Sequence, residues 1–275
     1  MPSPSAAHAP PLPPALGFGQ QVRANFGRHA AAYDSEAQLQ RAIAWRLASL
    51  CRDLPLPAGP CADLGAGSGL LSRAFTSHHR TLEQHPPLQV DLCPELLGRN
   101  PLPRHQAWDL NSGLPQGLCG AALLASSFAL QWLEQPAESL RLWCQHLAPG
   151  GWLVLAVPTA GSFPEWRQAA SDAAVPCTAL ALPEASELLA VTAQEGLAPR
   201  HGAVRRFSRG QRSPLESLRA LRRLGASASR SRPLGPGAWR RLLRHWPGGV
   251  GLSWEVLLLV AQRPANAPRE AIRCA

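Results

Sequence analysis

Lysine is absent from the chain, so its 27 strongly basic side chains are all arginine, and tyrosine occurs once, at Tyr33. Long apolar runs are also missing. Nothing approaches the roughly 20 residues that span a bilayer as a helix, which excludes a helical membrane anchor. The longest stretch, Val256 to Ala261, is short and β-branched near its ends, as suits a strand. The seven cysteines, Cys51, Cys61, Cys93, Cys119, Cys144, Cys177 and Cys274, form no Cys-x-x-Cys pair. That excludes the common zinc and thiol-redox motifs, and no metal is expected. An odd, scattered set suits a reducing cytosol, so a cytoplasmic location is expected. Residues 1–14 hold six prolines but no arginine and no apolar core. They do not read as a secretion signal; 1–18 is expected to be a disordered, proline-rich tail, and 266–275 a second flexible one.

What is present is a large apolar fraction, 45%, enough to build a sizeable core between those tails. Charge is unevenly placed. Residues 1–150 carry 10 arginines against 10 acids, whereas residues 151–275 carry 17 against 8. Between Arg200 and Arg244 there are 13 arginines and one acid, Glu216. The all-arginine composition carries no mechanistic weight, but this concentration calls for an acidic partner.

The chain alternates strand-like and helix-like segments. Ser35 and Gln38 have the spacing of a capping box, and Leu39, Ile43, Leu47 and Leu50 then recur at helical intervals until Pro55 and Pro57. Cys61–Leu64, Leu88–Leu92, Ala121–Ser127, Trp152–Val157, Ala203–Phe207 and Leu252–Val260 read as strands. Helices are expected at Leu70–His78, from Pro94, at Glu138–Leu147 and at Glu184–Ala193. Ser213-Pro214-Leu215-Glu216 opens another, with capping residue, proline at the first position and glutamate at the third. Leu215, Leu218, Leu221 and Leu224 are its expected apolar stripe, and Gly225 can close it. Such alternation implies an α/β fold with a parallel sheet covered on both faces.

The segment with the clearest chemistry is Asp63-Leu64-Gly65-Ala66-Gly67-Ser68-Gly69, between a strand and a helix. Glycines at alternate positions permit a tight turn and close approach to a ligand. The G-x-G-x-G spacing is not the dinucleotide fingerprint, because position 70 is Leu, and no phosphate-binding lysine follows. Alone, the loop is equally an ordinary strand–helix turn. Asp91 ends the second strand, where an acid can accept hydrogen bonds from ribose hydroxyls, although it can also cap the next helix. Asp109 follows where a third strand should finish and can accept from an adenine amino group. Acids and glycines at the carboxyl edge of successive strands occupy the edge where open α/β sheets bind ligands.

At these residues the chain resembles class I S-adenosylmethionine-dependent methyltransferases, and within them the malonyl-[acyl-carrier protein] O-methyltransferases of biotin synthesis. The resemblance runs from about Val22 to about Gln262. Supporting segments, besides the widely shared glycine loop, are Phe26 to Asp34, Ser126 to Trp132, Gly161 to Glu165 and Leu218 to Ala226, of which the N-terminal and C-terminal ones are specific to the subgroup. It implies a Rossmann-like sheet, mostly parallel with an antiparallel edge strand and helices on both faces, in a methyltransferase domain over 19–265. Within that domain 158–245 would hold the substrate-side insertions and the basic region. It implies S-adenosylmethionine as cofactor, held by Asp63, Gly65, Gly67, Gly69, Asp91, Leu92, Asp109, Leu110 and Ser126. Tyr33 would line the active site as the catalytic residue; its plainer reading is a helix-entry packing residue. Phe26, Arg219 and Arg222 would bind substrate, and an acidic acyl-carrier protein would be the partner.

The chain departs from the subgroup in two places. Ser127 stands where the family usually has Asn. Leu180-Ala181 stands where the family often has an arginine followed by an aromatic residue, an arginine suited to a substrate carboxylate. Arg205, Arg206, Arg219 and Arg222 are the candidate replacements, each otherwise part of a solvated basic face. Three other readings compete. The basic region suits nucleic acid electrostatically, but no Asn/Asp-Pro-Pro-aromatic tetrapeptide follows Ala121–Ser127 and no RNA-binding module is visible. The loss of the arginine–aromatic pair suits another small acid as acceptor. A non-catalytic scaffold of the same fold would not need both Gly67 and Asp91.

Overall fold

The computed structural model describes residues 17–208, 213–248 and 251–267. Of the two expected tails, 1–16 and 268–275 lie outside the described residues. Helices α1 (Phe18–His29), α2 (Tyr33–Glu36) and α3 (Gln38–Leu50) lead into β1 (Cys61–Leu64), α4 (Leu70–His78), α5 (Arg80–Gln84), β2 (Leu88–Asp91), α6 (Pro94–Leu97) and β3 (His105–Ala107). Then follow β4 (Ala121–Ser127), α7 (Pro136–Gln145), β5 (Leu147–Pro158), α8 (Pro164–Asp172), α9 (Ala185–Gln194), β6 (Ala198–Ser208), α10 (Pro214–Arg223), α11 (Pro236–Arg244) and β7 (Ser253–Gln262).

Seven strands form one sheet in the order β3-β2-β1-β4-β5-β7-β6. Neighbours from β3 to β5 pair parallel, and β7 is inserted antiparallel between β5 and the edge strand β6. The apolar β4, β5 and β7 sit at its centre, where helices on both faces can bury them. Alternation along β7 shows the two layers. Leu257 and Leu259 join Trp143 of α7 and Leu188 of α9 on one face. Val256, Leu258 and Val260 join Ile43 and Leu47 of α3 and Phe75 of α4 on the other. A third cluster, with Phe163, Leu221, Leu242 and Trp246, lies beneath α8, α10 and α11.

Several local expectations are revised. The Ser35 hydroxyl lies inside α2 and donates to Ala32 O, so no capping box forms; α3 starts from Ala37 without a side-chain cap. β5 begins at Leu147 and runs through Pro149-Gly150-Gly151, with a register shift against Ala121 and Leu123 absorbing the extra residues. At α10 the Ser213 cap forms as expected, its Oγ accepting from Glu216 N. The leucine stripe faces inward at Leu218, Leu221 and Leu224 but not at its start. Steps of three residues drift around a helix of 3.6 per turn, so Leu215 ends 41% exposed while Ser217, Leu221 and Leu224 are buried. Cys51, Cys61, Cys93, Cys144 and Cys177 are free thiols, but Cys119 is disulfide-bonded. No described helix is long and apolar enough to cross a membrane.

Gly225 closes α10 at φ +83°, and a Cβ there would stand 2.9 Å from Phe26 Cα in α1. This contact joins the end of α10 to the N-terminal helices. Gly225→Ala should therefore cost about 1–3 kcal/mol from strain and forced separation, read as a lower midpoint in thermal or urea denaturation. An unchanged midpoint would show that the two helices part freely.

Candidate active site

The glycine loop is built on β1 and fastened to β2. The N–H groups of Gly65 and Ala66 both donate to Val90 O, at 2.8 and 2.9 Å. Gly67 N donates to Asp91 Oδ2 at 2.8 Å, and Cys93 N donates to Asp91 Oδ1 at 2.7 Å. Asp91 thus fixes the loop and caps the next turn, and each carboxylate oxygen still has a lone pair free. Gly65 cannot be replaced: a Cβ there would lie 2.1 Å from Ala129 Cβ. Asp109 accepts from Asn111 N and Nδ2, both at 2.9 Å, which holds its carboxylate at the cavity rim.

A cavity of about 90 Å³ opens against this edge. Of the sequence-predicted residues, Gly65, Gly67, Asp91, Leu92, Asp109, Leu110, Phe26 and Tyr33 line it. Gly69 does not, and packs against Asn100. Ser126 does not either: it is buried, its Oγ donating to Leu64 O at 2.7 Å. Its neighbour Ser127 takes the cavity wall, because alternate strand residues face opposite ways. Trp108 and Trp132 complete the walls and were not anticipated as site residues.

On the other side of Tyr33 lies a second cavity of about 80 Å³, which shares Phe26, Phe128 and Trp132 with the first and adds Trp166, Thr178 and Leu180. Phe128 and Phe163, both on its wall, hold left-handed backbone at φ 58° and 59°. Such strain in non-glycine residues persists only where the surroundings enforce it. Phe26 meets Tyr33 and Trp132 edge-on at 6.1 and 5.6 Å. Tyr33 is positioned by its neighbour Asp34, which accepts from Ser68 Oγ and, at 2.7 Å, from Arg73 of α4. Helix α2 is thereby tied directly to the glycine loop. Asp34 was within reach of sequence reasoning, being the last residue of the family-like segment beginning at Phe26.

Arg219 and Arg222 are exposed and line no described cavity; they occupy the side of α10 away from Ser217, Leu221 and Leu224. Arg205 and Arg206 lie exposed on the edge strand, Arg206 being 4.0 Å from Glu255. Among the described residues, no arginine lines the cavity beside Leu180. Ala181 is exposed.

Acids are set into the inner end of the site. Asp63 is 1% exposed; its Oδ2 accepts from Ser72 N and Oγ at 3.2 and 2.7 Å, while Oδ1 has no partner. Ser127 Oγ is also buried and unpartnered. The two residues share a pocket of about 20 Å³ with Tyr33 and Gln40. Burial pushes the Asp63 carboxyl up to about 7 against the Ser72 hydrogen bonds, and burial pushes Asp91 up to about 6 against those from Cys93 and Gly67. Burial, then the charges of Asp91, Asp34 and Asp63, hold the Tyr33 phenol well above its ordinary range. The arrangement suits a ligand with hydroxyls, an aromatic face and positive charge.

The fold agrees. The chain superposes on magnesium protoporphyrin IX methyltransferase (ChlM) from Synechocystis PCC 6803 with a TM-score of 0.55, covering 90% of this chain and 100% of that one at 12% identity. Fold and loop together define a Rossmann-like methyltransferase. No family model matches the chain. It is, however, 30% identical over 223 residues to the malonyl-[acyl-carrier protein] O-methyltransferase of Methylococcus capsulatus (strain ATCC 33009 / NCIMB 11132 / Bath), covering 77% of this chain and 78% of that one. The chain belongs to the malonyl-[acyl-carrier protein] O-methyltransferase family. It is also 32% identical over 236 residues to the biotin biosynthesis bifunctional protein BioCD of Bordetella avium (strain 197N), of whose length the match spans 49%.

The buried acid makes a stability prediction. Asp63 binds a proton more readily folded than unfolded, so stability falls as pH rises from about 4, the unfolded value, to about 7. Asp63→Asn cannot ionise and keeps an acceptor for Ser72. It should flatten the loss of thermal stability between pH 5 and pH 8 and be at least as stable as the parent at pH 8. Equal pH slopes in the two proteins would show that Asp63 ionises normally.

Proposed function

We propose that this enzyme transfers a methyl group from S-adenosylmethionine to the free carboxylate of a malonyl thioester borne on acyl-carrier protein, a step of biotin biosynthesis. The observation that carries the reading is the position of Tyr33. It stands between the cavity of Gly65, Gly67, Asp91 and Asp109 and an apolar cavity large enough for a short acyl group.

The residues fit the cofactor. Asp91 has lone pairs left for a ribose diol, and Asp109, Leu92 and Leu110 surround the place of an adenine ring. Asp63 Oδ1 and Ser127 Oγ are the unpartnered acceptors that remain for an ammonium group. When bound, the cofactor supplies a sulfonium methyl that passes to a carboxylate oxygen in one displacement, leaving a neutral thioether. A carboxylate ionises near pH 4, so no general base is needed, and Tyr33, held protonated, serves as a donor. Thr178 Oγ1 and Trp166 Nε1 are buried without partners on the acceptor cavity. These neutral donors orient the carboxylate where the family often uses an arginine, and they stabilise its ground state less than an ion pair would. The rate then comes from alignment in a cavity closed to water.

The arginines act outside. Arg219 and Arg222 share the exposed face of α10 with Leu215, and α11 exposes Arg240, Arg241 and Arg244. An acidic carrier would be drawn to this surface, with rates that fall as salt screens it.

Two outcomes test the reading. Tyr33→Phe should leave cofactor affinity nearly unchanged by calorimetry and lower turnover by about a hundredfold through lost alignment; a large loss of affinity would instead make Tyr33 a cofactor residue. The double variant Arg219→Glu, Arg222→Glu should slow transfer to malonyl-carrier and weaken its salt dependence while sparing malonyl-CoA. Equal loss on both acceptors would return these arginines to the active site.

A further inference from the structure

A cavity larger than the one against the glycine loop lies elsewhere in the molecule. A space of about 260 Å³ lies between the start of α3, the ends of β6 and β7, and the inner face of α10. Four of its lining residues, Gln40, Leu221, Leu224 and Trp254, also line the acceptor cavity, and Gln40 lines the small pocket beside Tyr33 and Asp63 as well. The three spaces therefore succeed one another across single side chains, from the reacting end at Tyr33 to the surface beside Glu36 and Ser208. The walls are mostly apolar, with Leu39, Phe207, Ala220 and Leu252. Five lining residues are polar, Glu36, Gln38, Gln40, Ser208 and Ser217, and one of them is buried without a partner. Ser217 is 2% exposed, lines the cavity, and its Oγ has no hydrogen-bond partner. A buried hydroxyl without a partner costs free energy, which a ligand with an amide can recover. At the mouth, Glu36 is paired with Arg223 of α10 at 2.9 Å.

We propose that this cavity holds the pantetheine arm of the acyl thioester, with Ser217 bonding an arm amide and Gln40 standing where the arm passes into the acceptor cavity. The inference rests on the malonyl-thioester reading. A malonyl group is short, its carrier is a folded protein, and the reacting carboxylate must reach Tyr33, so a long flexible arm has to cross the intervening wall. The arm is aliphatic with isolated amides and ends in a phosphate. Largely apolar walls and one buried, unpartnered hydroxyl match the aliphatic arm and its amides, and the phosphate end would lie outside the cavity. Leu221 and Leu224 line both cavities, next to the place where Gly225 seats the end of α10 on Phe26.

The test compares acceptors that share the malonyl end and differ in the arm: malonyl-carrier protein and malonyl-CoA, which carry it whole, and malonyl-N-acetylcysteamine, which carries only its first amide. Ala220 faces this cavity and neither of the other two. Ala220→Phe should lower kcat/KM for both full-length acceptors by about tenfold or more and leave the truncated one within about twofold. Ser217→Ala, which removes one oxygen and should fold normally, should lower kcat/KM for the full-length acceptors by about threefold to tenfold through KM. Cofactor binding by calorimetry should be unchanged in both. Equal effects on long and truncated acceptors, or no effect on the long ones, would overturn the assignment. Failure of the parent enzyme to methylate any of the three would instead refute the malonyl reading, and the assignment with it.

Discussion

The carbonyl of Val90 receives two N–H groups, from Gly65 and Ala66, and the rest of the site depends on that junction. It bends the chain off the end of β1 and lays the loop across the end of β2, where Asp91 can accept from Gly67. Only a residue without Cβ can occupy the first of these positions, because Ala129 stands against it. From there the loop passes into α4, whose Ser72 holds Asp63 and whose Arg73 holds Asp34. The acid that lines up Tyr33 and the acid beneath the loop are thus fixed by consecutive residues of one helix. Moving that helix would disturb both.

These acids oppose folding. Asp63 and Asp91 are held in surroundings that push their carboxyls up to about 7 and about 6, burial being the first cause in each. A protein selected for stability alone would replace them. Their cost becomes intelligible if a cation sits among them: positive charge beside two desolvated carboxylates restores their ordinary ionisation and strengthens the folded state by mass action. Burial first, and then the charges of these acids and of Asp34, keep the Tyr33 phenol protonated. In the proposed reading, acids that favour a positively charged cofactor and a tyrosine that donates to an anionic acceptor both follow from burying these groups side by side.

Much of this was legible in the sequence. The alternating pattern, the glycine loop, Asp91 and Asp109 fall where their residue types suggest, and Tyr33, which the family resemblance alone singled out, lines the same cavity. The failures share a cause: local pattern was read without the packing that decides between equivalent local solutions. Ser35 has the spacing of a cap, yet Ala37 starts the helix. Leu215 belongs to a leucine stripe, but three-residue steps carry it to the solvent side. Ser126 and Ser127 differ only in which way the strand presents them, which the neighbouring strands determine. Arg219 and Arg222 follow the same rule, since a helix with Leu221 and Leu224 inward must turn them outward. The cavity beneath α10 had no sequence signature at all, because its walls come from α3, β6, β7 and α10.

The loss of the arginine–aromatic pair at Leu180-Ala181 acquires a physical meaning in this setting. An arginine in the acceptor cavity would stand close to the site proposed for a sulfonium, and two cations there would repel each other through a poorly screened interior. It would also hold the carboxylate strongly before reaction, lowering the energy from which the barrier must be climbed. Neutral donors avoid both effects, at the expense of weaker acceptor binding. That deficit can be met elsewhere. The apolar cavity beneath α10 can contribute burial energy from the arm, and the outer arginines of α10 and α11 can raise the encounter rate with an acidic carrier. On that reading positive charge stays outside the site and negative charge inside it, and the acceptor binds largely through the parts of its carrier that do not react.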